Sequence, residues 1–249
     1  MNISYHKWES PHLRHQTEIK VYGTKGKPLL VFPSSKGRFY DFENFGMIDT
    51  LKDFIENEKI VVFCADGIDW QTWFNPNCHP HDKGVRHNEY DQMVYHEIIS
   101  FIKDYLQDPN AKIITTGCSF GAYHAANFFF RHPDVCSGLI ALSGVYSLDF
   151  SVGECCDDEI YFNDPLKYLP NLKDAWYLDK FNASDIIICV GQGAYEDWML
   201  EQSKRLSEAL DSIGVNHWFD LWGYDVNHDW PWWKKQIIYF LNNLKKNKL

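Results

Sequence analysis

Residues 117–121 read GCSFG, between the apolar run KIITT and the segment AYHAANFFF, and set two nucleophilic side chains, Cys118 and Ser119, next to each other. A short strand, then Gly-x-Ser-x-Gly, then a helix is the pattern of a nucleophile elbow. The sharp turn holds its central residue in a strained conformation and lifts that side chain above the sheet. The residues two before and two after lie where strand and helix backbones nearly touch, so both must be very small. Here they are Gly117 and Gly121, and Ala122 is small as well. In that register Ser119 is the exposed nucleophile, and Cys118 turns into the packed sheet as a small hydrophobe.

A serine hydroxyl is barely ionised at neutral pH and needs a general base. In sites built on such an elbow the chain order is serine, acid, histidine, the last two on loops leaving later strands. Of eleven histidines, His6, His12, His15, His79, His81, His87 and His96 precede the elbow. His124 sits on the elbow helix, His132 at its end in RHPD, and His217 within the last strand-like run. His228 remains, in GYDVNHDWPWW after the last strand, at the sheet edge where active sites of such sheets gather. The acid should follow DIIICV, where GQGAYEDWM offers Glu196 and Asp197 side by side. Either can orient an imidazole, and the other can serve the start of the helix that begins there; Glu196 is slightly preferred. An oxyanion hole needs two backbone N–H groups. Phe120, directly after the nucleophile, supplies one, and the loop PSSKGRF supplies the other from Ser35 or Lys36, with Gly37 making that loop permissive.

The elements that must position these groups alternate along the 249 residues. Strand-like runs fall at 29–32, 60–65, 112–117, 138–144, 185–191 and 217–223, mostly continuously apolar, as strands buried on both faces of a parallel sheet read. Helical spacing of apolar residues appears over 88–107, 197–213 and 230–247, the last with lysines at its end, where the helix dipole favours them. EIKVYG (18–23) is expected as the antiparallel edge of the sheet. The stretch 148–182, rich in Asp, Tyr, Phe and Pro, reads as a cap or pocket-wall excursion within one domain spanning 1–249.

These motifs look familiar together. GCSFGAYHAANFFFRHPD, SGVYSL, FPSSKGRFYDF and the closing GYDVNHDWPWW resemble the esterase D and feruloyl esterase group of α/β-hydrolases, which also holds the mycolyltransferases. The resemblance covers most of the chain, and the His-Asp-Trp ending is its most specific element beyond the elbow. It implies an α/β-hydrolase fold with a mostly parallel sheet and helices on both faces. It also implies a metal-independent acyl-ester hydrolase or acyltransferase, with the triad on Ser119, Glu196 or Asp197, and His228. The acid loop departs from the pattern with two carboxylates and a glycine-rich lead-in, so a substrate class is not carried over.

Composition narrows the alternatives. Hydrophobic residues make up 45% and charged residues 23%, enough apolar material for a large core. Net charge is −10, and no basic run exceeds the terminal KKNK, so nucleic-acid binding has no electrostatic footprint. No apolar run is long enough to span a membrane, and MNISYHKWES does not read as a secretory leader, so a cytoplasmic protein is expected. Seven cysteines, several in apolar runs, suit reduced thiols better than a disulfide framework. The vicinal Cys155 and Cys156, and the cluster Cys78, His79, His81 and His87 in NCHPHDKGVRH, match no known metal spacing. The latter reads as a polar loop near the pocket mouth, and no metal or cofactor is expected. Trp70 and Trp73, after the second core strand, are candidates to wall a substrate pocket, with Trp230 closing over His228. The expected activity is hydrolysis of a small-molecule ester through an acyl-enzyme. An acyltransferase with the same triad, or a non-catalytic binding protein on this scaffold, are the alternatives, and the oligomeric state is open.

Overall fold

The apolar runs become strands of a parallel sheet, each short and buried on both faces, and most of them rich in β-branched residues. The computed structural model describes residues 1–247 and 249. Among them, eight strands form one sheet: β1 (Ile3–Ser10), β2 (His15–Tyr22), β3 (Lys27–Phe32), β4 (Ile60–Ala65), β5 (Ile113–Cys118), β6 (Cys136–Leu142), β7 (Asp185–Val190) and β8 (Trp218–Leu221). Their spatial order is β1-β2-β4-β3-β5-β6-β7-β8. β1 and β2 run antiparallel to their neighbours and the pairs from β3 to β8 are parallel. β5, which leads into GCSFG, therefore lies inside the sheet with β3 on one side and β6 on the other.

Successive residues of the central strands serve opposite faces. Leu30, Phe32, Val61 and Phe63 join one core cluster, while Leu29, Val31, Ile60 and Val62 join another. The first face is covered by α1 (Pro80–Met93), α2 (Ile99–Leu106), α3 (Phe120–Arg131), α4 (Ala175–Asn182) and α5 (Asp197–Ser212). The second is covered by short helices within 41–56 and by α6 (Trp230–Asn242), which buries Trp233, Ile237, Phe240 and Leu241. Each such side chain contributes about 1.5–3 kcal/mol by burial. From Asp149 to Asn182 the chain makes short helical pieces ending in α4.

Three expectations are corrected. The antiparallel edge is β1, with 18–23 one strand further in. ISYHKWES escapes notice because an edge strand buries little and its polar residues break any apolar run. Residues 80–87 are helix, not loop, because Pro80 suits a first helical turn and His79 accepts the His81 N–H as its cap. This helix runs on through a π turn at Val94–Ile98 into α2. The final helix stops at Asn242, so the lysines of KKNK do not cap it. The backbone N–H groups of Lys245, Lys246 and Asn247 instead converge on the Asp185 carboxylate, and Lys248 lies outside the described residues.

Among the described residues no helix is long and apolar enough to cross a membrane. All seven cysteines are free. Burial pushes the thiols of Cys118, Cys136 and Cys189 well above their ordinary value, and Cys64 likewise, because a thiolate there would lose its hydration. Their thiolate fraction at pH 8 is then negligible. Titrating native protein with a disulfide reagent should label the exposed Cys156 first, Cys78 and Cys155 more slowly, and the other four only after denaturation. Rapid native labelling of Cys118 would contradict the packing described.

Candidate active site

The turn after β5 is as tight as its glycines suggest. Ser119 sits at φ +57°, the left-handed region. A Cβ on Gly117 would lie 2.3 Å from the backbone of Gly121, and one on Gly121 would lie 2.5 Å from the Phe32 carbonyl oxygen. Such overlaps exclude any side chain at either position. The Ser119 N–H donates to the Leu142 carbonyl at 2.9 Å, which pins the strained residue to β6. Cys118 faces the core fully buried.

Ser119, His228 and Glu196 meet above the carboxyl ends of β5, β7 and β8. Ser119 Oγ lies 3.0 Å from His228 Nε2, and His228 Nδ1 lies 3.2 Å from Glu196 Oε2. With Nδ1–H donated to the carboxylate, Nε2 carries the lone pair and accepts the serine hydroxyl. Glu196 is 0% exposed, so its charge must be met from within the protein. Its other oxygen accepts the Ser143 hydroxyl at 2.6 Å, and Ser143 Oγ in turn accepts the Trp233 indole N–H at 3.1 Å. The Trp233 ring stands perpendicular to the His228 imidazole at 4.9 Å. Asp197 is exposed in the first turn of α5, where its charge suits the helix dipole. Of the two adjacent carboxylates, Glu196 is therefore the one brought to the imidazole.

The glycine-rich lead-in to Glu196 has a structural reason. A Cβ on Gly191 would lie 2.2 Å from the Val226 carbonyl oxygen, and one on Gly193 would lie 2.4 Å from Asn227 Oδ1. The acid-bearing and histidine-bearing loops are zipped together at these points. The Gly193 N–H donates to the Val226 carbonyl, the Ala194 N–H to Asn227 Oδ1, and the His228 N–H back to the Ala194 carbonyl.

The loop after β3 is held by three carboxylates. Asp41 accepts from the Ser34 hydroxyl, Asp66 pairs with Arg38, and Asp69 Oδ2 accepts the Lys36 N–H at 2.8 Å. Burial raises the Asp66 carboxyl above its ordinary value, and Arg38 offsets part of that rise. Lys36 stands at φ +59°. Its N–H is consumed by Asp69, which corrects the reading of Lys36 as an equal candidate for the oxyanion hole. Among the described residues no acceptor meets the N–H groups of Phe120 and Ser35. Asp69 also faces His124 Nε2 across 2.8 Å, and both residues are 4% exposed. This pair bolts the β3 loop to α3, the helix that begins after Ser119.

The tryptophans separate. Trp73 is 2% exposed and packs among Phe120 and Tyr123, so it is core rather than pocket wall. Trp70 is 60% exposed with the Lys36 ammonium 4.3 Å above its ring, at the outer rim. Trp230 stacks on Phe45 at 4.5 Å and braces α6 against the short helices; the indole against His228 is Trp233. Beside Phe120, Phe74, Phe150 and Trp198 form a run of ring contacts at 4.9, 5.4 and 5.6 Å. Phe150 comes from the Asp-rich stretch after β6. Ser143, Trp233 and this aromatic run carry no local signal, since each matters only through partners far off in the chain.

Neither a family model nor a curated protein sequence matches the chain. Solved structures do resemble it. A ferulic acid esterase superposes with TM-score 0.74 at 16% identity, over 96% of this chain and 95% of that one. A fluorophosphonate-binding serine hydrolase from Staphylococcus aureus gives 0.71 at 16% identity, over 95% of each chain. An S-formylglutathione hydrolase from Agrobacterium tumefaciens gives 0.67 at 14% identity, over 97% and 92%. The chain has the α/β-hydrolase fold. The resemblance first drawn from four short motifs thus extends to the path of the whole backbone.

The hydrogen bonds on Ser143 make a stability prediction. Ser143→Ala would leave one oxygen of a buried carboxylate and one indole N–H without partners, an expected loss of about 1–3 kcal/mol. Urea unfolding monitored by tryptophan fluorescence measures this. An unchanged midpoint would show that these bonds do not stabilise the protein.

Proposed function

We propose that this protein is a serine hydrolase of carboxylic esters that works through an acyl-enzyme. The observation that carries the reading is the continuous relay Glu196–His228–Ser119, set at the elbow of an α/β-hydrolase fold. Similar structures are named as a ferulic acid esterase and as a fluorophosphonate-binding serine hydrolase, which supports the same class of chemistry.

In this reading Ser119 Oγ attacks the ester carbonyl carbon while its proton passes to His228 Nε2. The Glu196 carboxylate stabilises the resulting imidazolium and keeps the ring in the productive tautomer. The N–H groups of Phe120 and Ser35 receive the carbonyl oxygen as it becomes an oxyanion. The tetrahedral intermediate collapses, the C–O bond to the alcohol breaks, and His228 returns the proton to the departing oxygen. Water then attacks the acyl-enzyme with His228 again as base. The free acid leaves, and the proton goes back to Ser119 Oγ. Substrates are small-molecule esters, and the aromatic run beside Phe120 offers a flat apolar surface to one side of the ester. The seven free cysteines favour a reducing compartment, in keeping with the cytoplasm.

Three variants test the assignment. A fluorophosphonate should form a single adduct on Ser119, detected by mass spectrometry of the intact protein and absent from Ser119→Ala. Turnover of 4-nitrophenyl acetate should fall by about 10⁴-fold or more in Ser119→Ala. Glu196→Gln should lose about 10³–10⁴-fold in kcat, since the neutral amide no longer fixes the tautomer, while Asp197→Asn stays within about twofold of the parent. An unlabelled but folded protein would point to a binding protein on this scaffold. Acyl transfer to an added alcohol that outruns hydrolysis would point to a transferase.

A further inference from the structure

At the far end of α3 from the nucleophile, about 16 Å along the helix, the surface opens into a cavity of about 560 Å³. That volume is in the range of small-molecule sites. Its walls are the rings of Phe130, Tyr161, Phe162, Tyr168 and Tyr177. Phe162 is 55% exposed, which leaves a large apolar ring facing water at the mouth. None of these residues takes part in the Ser119 relay.

The charges around the cavity are unequally matched. Arg131 and His132 are in the wall too, and the buried Asp91 carboxylate lies 3.3 Å from the Arg131 guanidinium and 2.8 Å from His132 Nε2. The Arg131 guanidinium is further occupied by the side-chain oxygens of Asn88 and Asn163. Asp158 and Glu159 line the cavity as well, and the Asn88 amide bridges Glu159 to Arg131, accepting from the guanidinium and donating to the carboxylate. Among the described residues no cationic side chain lies within ion-pair distance of either carboxylate; Glu159 accepts one amide N–H from Asn88. Aromatic faces carry negative electrostatic potential and attract organic cations, more strongly where water is partly excluded. Two carboxylates without cationic partners at the rim add to that attraction.

We propose that this cavity is a second binding site, separate from the ester-cleaving centre, and that it takes a small organic cation bearing an aromatic ring or alkylated ammonium group. The rings enclose the cationic head, and Asp158 and Glu159 balance its charge. An anion is disfavoured, because Arg131, the permanent cation in the wall, is already paired with Asp91.

Titration calorimetry with phenyltrimethylammonium tests this, with benzyl alcohol and benzoate as neutral and anionic counterparts. One saturable site is expected for the cation, at least tenfold tighter than for benzyl alcohol, with no binding of benzoate. Asp158→Asn combined with Glu159→Gln should weaken cation binding at least tenfold. Tyr177→Leu, which keeps an apolar side chain but removes the ring, should weaken it as well. Protein carrying the fluorophosphonate adduct on Ser119 should bind the cation unchanged. Absence of saturable binding, equal affinity for the neutral or anionic compound, or undiminished affinity in the double variant would each overturn the proposal. Loss of binding in the adduct would assign the cation to the ester site instead. The double variant remains decisive even if Ser119 proves inert.

Discussion

A carboxylate with no exposure to water organises this end of the molecule. Glu196 cannot be hydrated where it lies, and its charge is tolerable only because Ser143 and His228 hydrogen-bond to its two oxygens. Ser143 follows β6, Glu196 follows β7, and His228 follows β8, so one buried charge ties three loops together. Trp233 adds α6 to the assembly by donating to Ser143 and by standing against the imidazole. The packing that stabilises the carboxylate is thus the same packing that orients the histidine toward Ser119. The burial of Glu196 and the placing of His228 beside Ser119 share one set of contacts.

The other half of the site is built by steric exclusion. Gly117 and Gly121 let β5, β3 and α3 approach until no Cβ could fit between them. That approach puts the start of α3 beside the β3 loop, which carries Ser35. The Asp69–His124 pair holds the loop at this distance from the helix, and Asp69 takes the Lys36 N–H as it does so. In the proposed reaction, a loop fixed in advance would lose no freedom when charge develops on a bound carbonyl oxygen.

How much of this was legible beforehand depends on the range over which each constraint acts. The elbow was readable because its requirement is local: a left-handed serine with residues lacking side chains two positions before and after it. The central strands were readable because burial on both faces demands an unbroken apolar run. His228 followed from chain order, once a strand and a helix bracketed it. The edge strand β1 was not readable, since it buries little and leaves no apolar run behind. Residues 80–87 concealed a helix behind a polar surface.

The sequence by itself singled out Ser119 and His228, the parallel core and the two candidate carboxylates, since each rests on residue type and near-neighbour spacing. Only the tertiary structure chose between Glu196 and Asp197. Adjacent in the chain and alike in charge, they differ in direction: one points inward to an imidazole 32 residues away, the other outward at the head of α5. The same holds for Asp69 with His124, 55 residues apart, and for Ser143 with Trp233, 90 apart. A hydrogen bond between distant residues leaves no periodicity and no local composition to read. It exists only once the sheet has brought its two ends together.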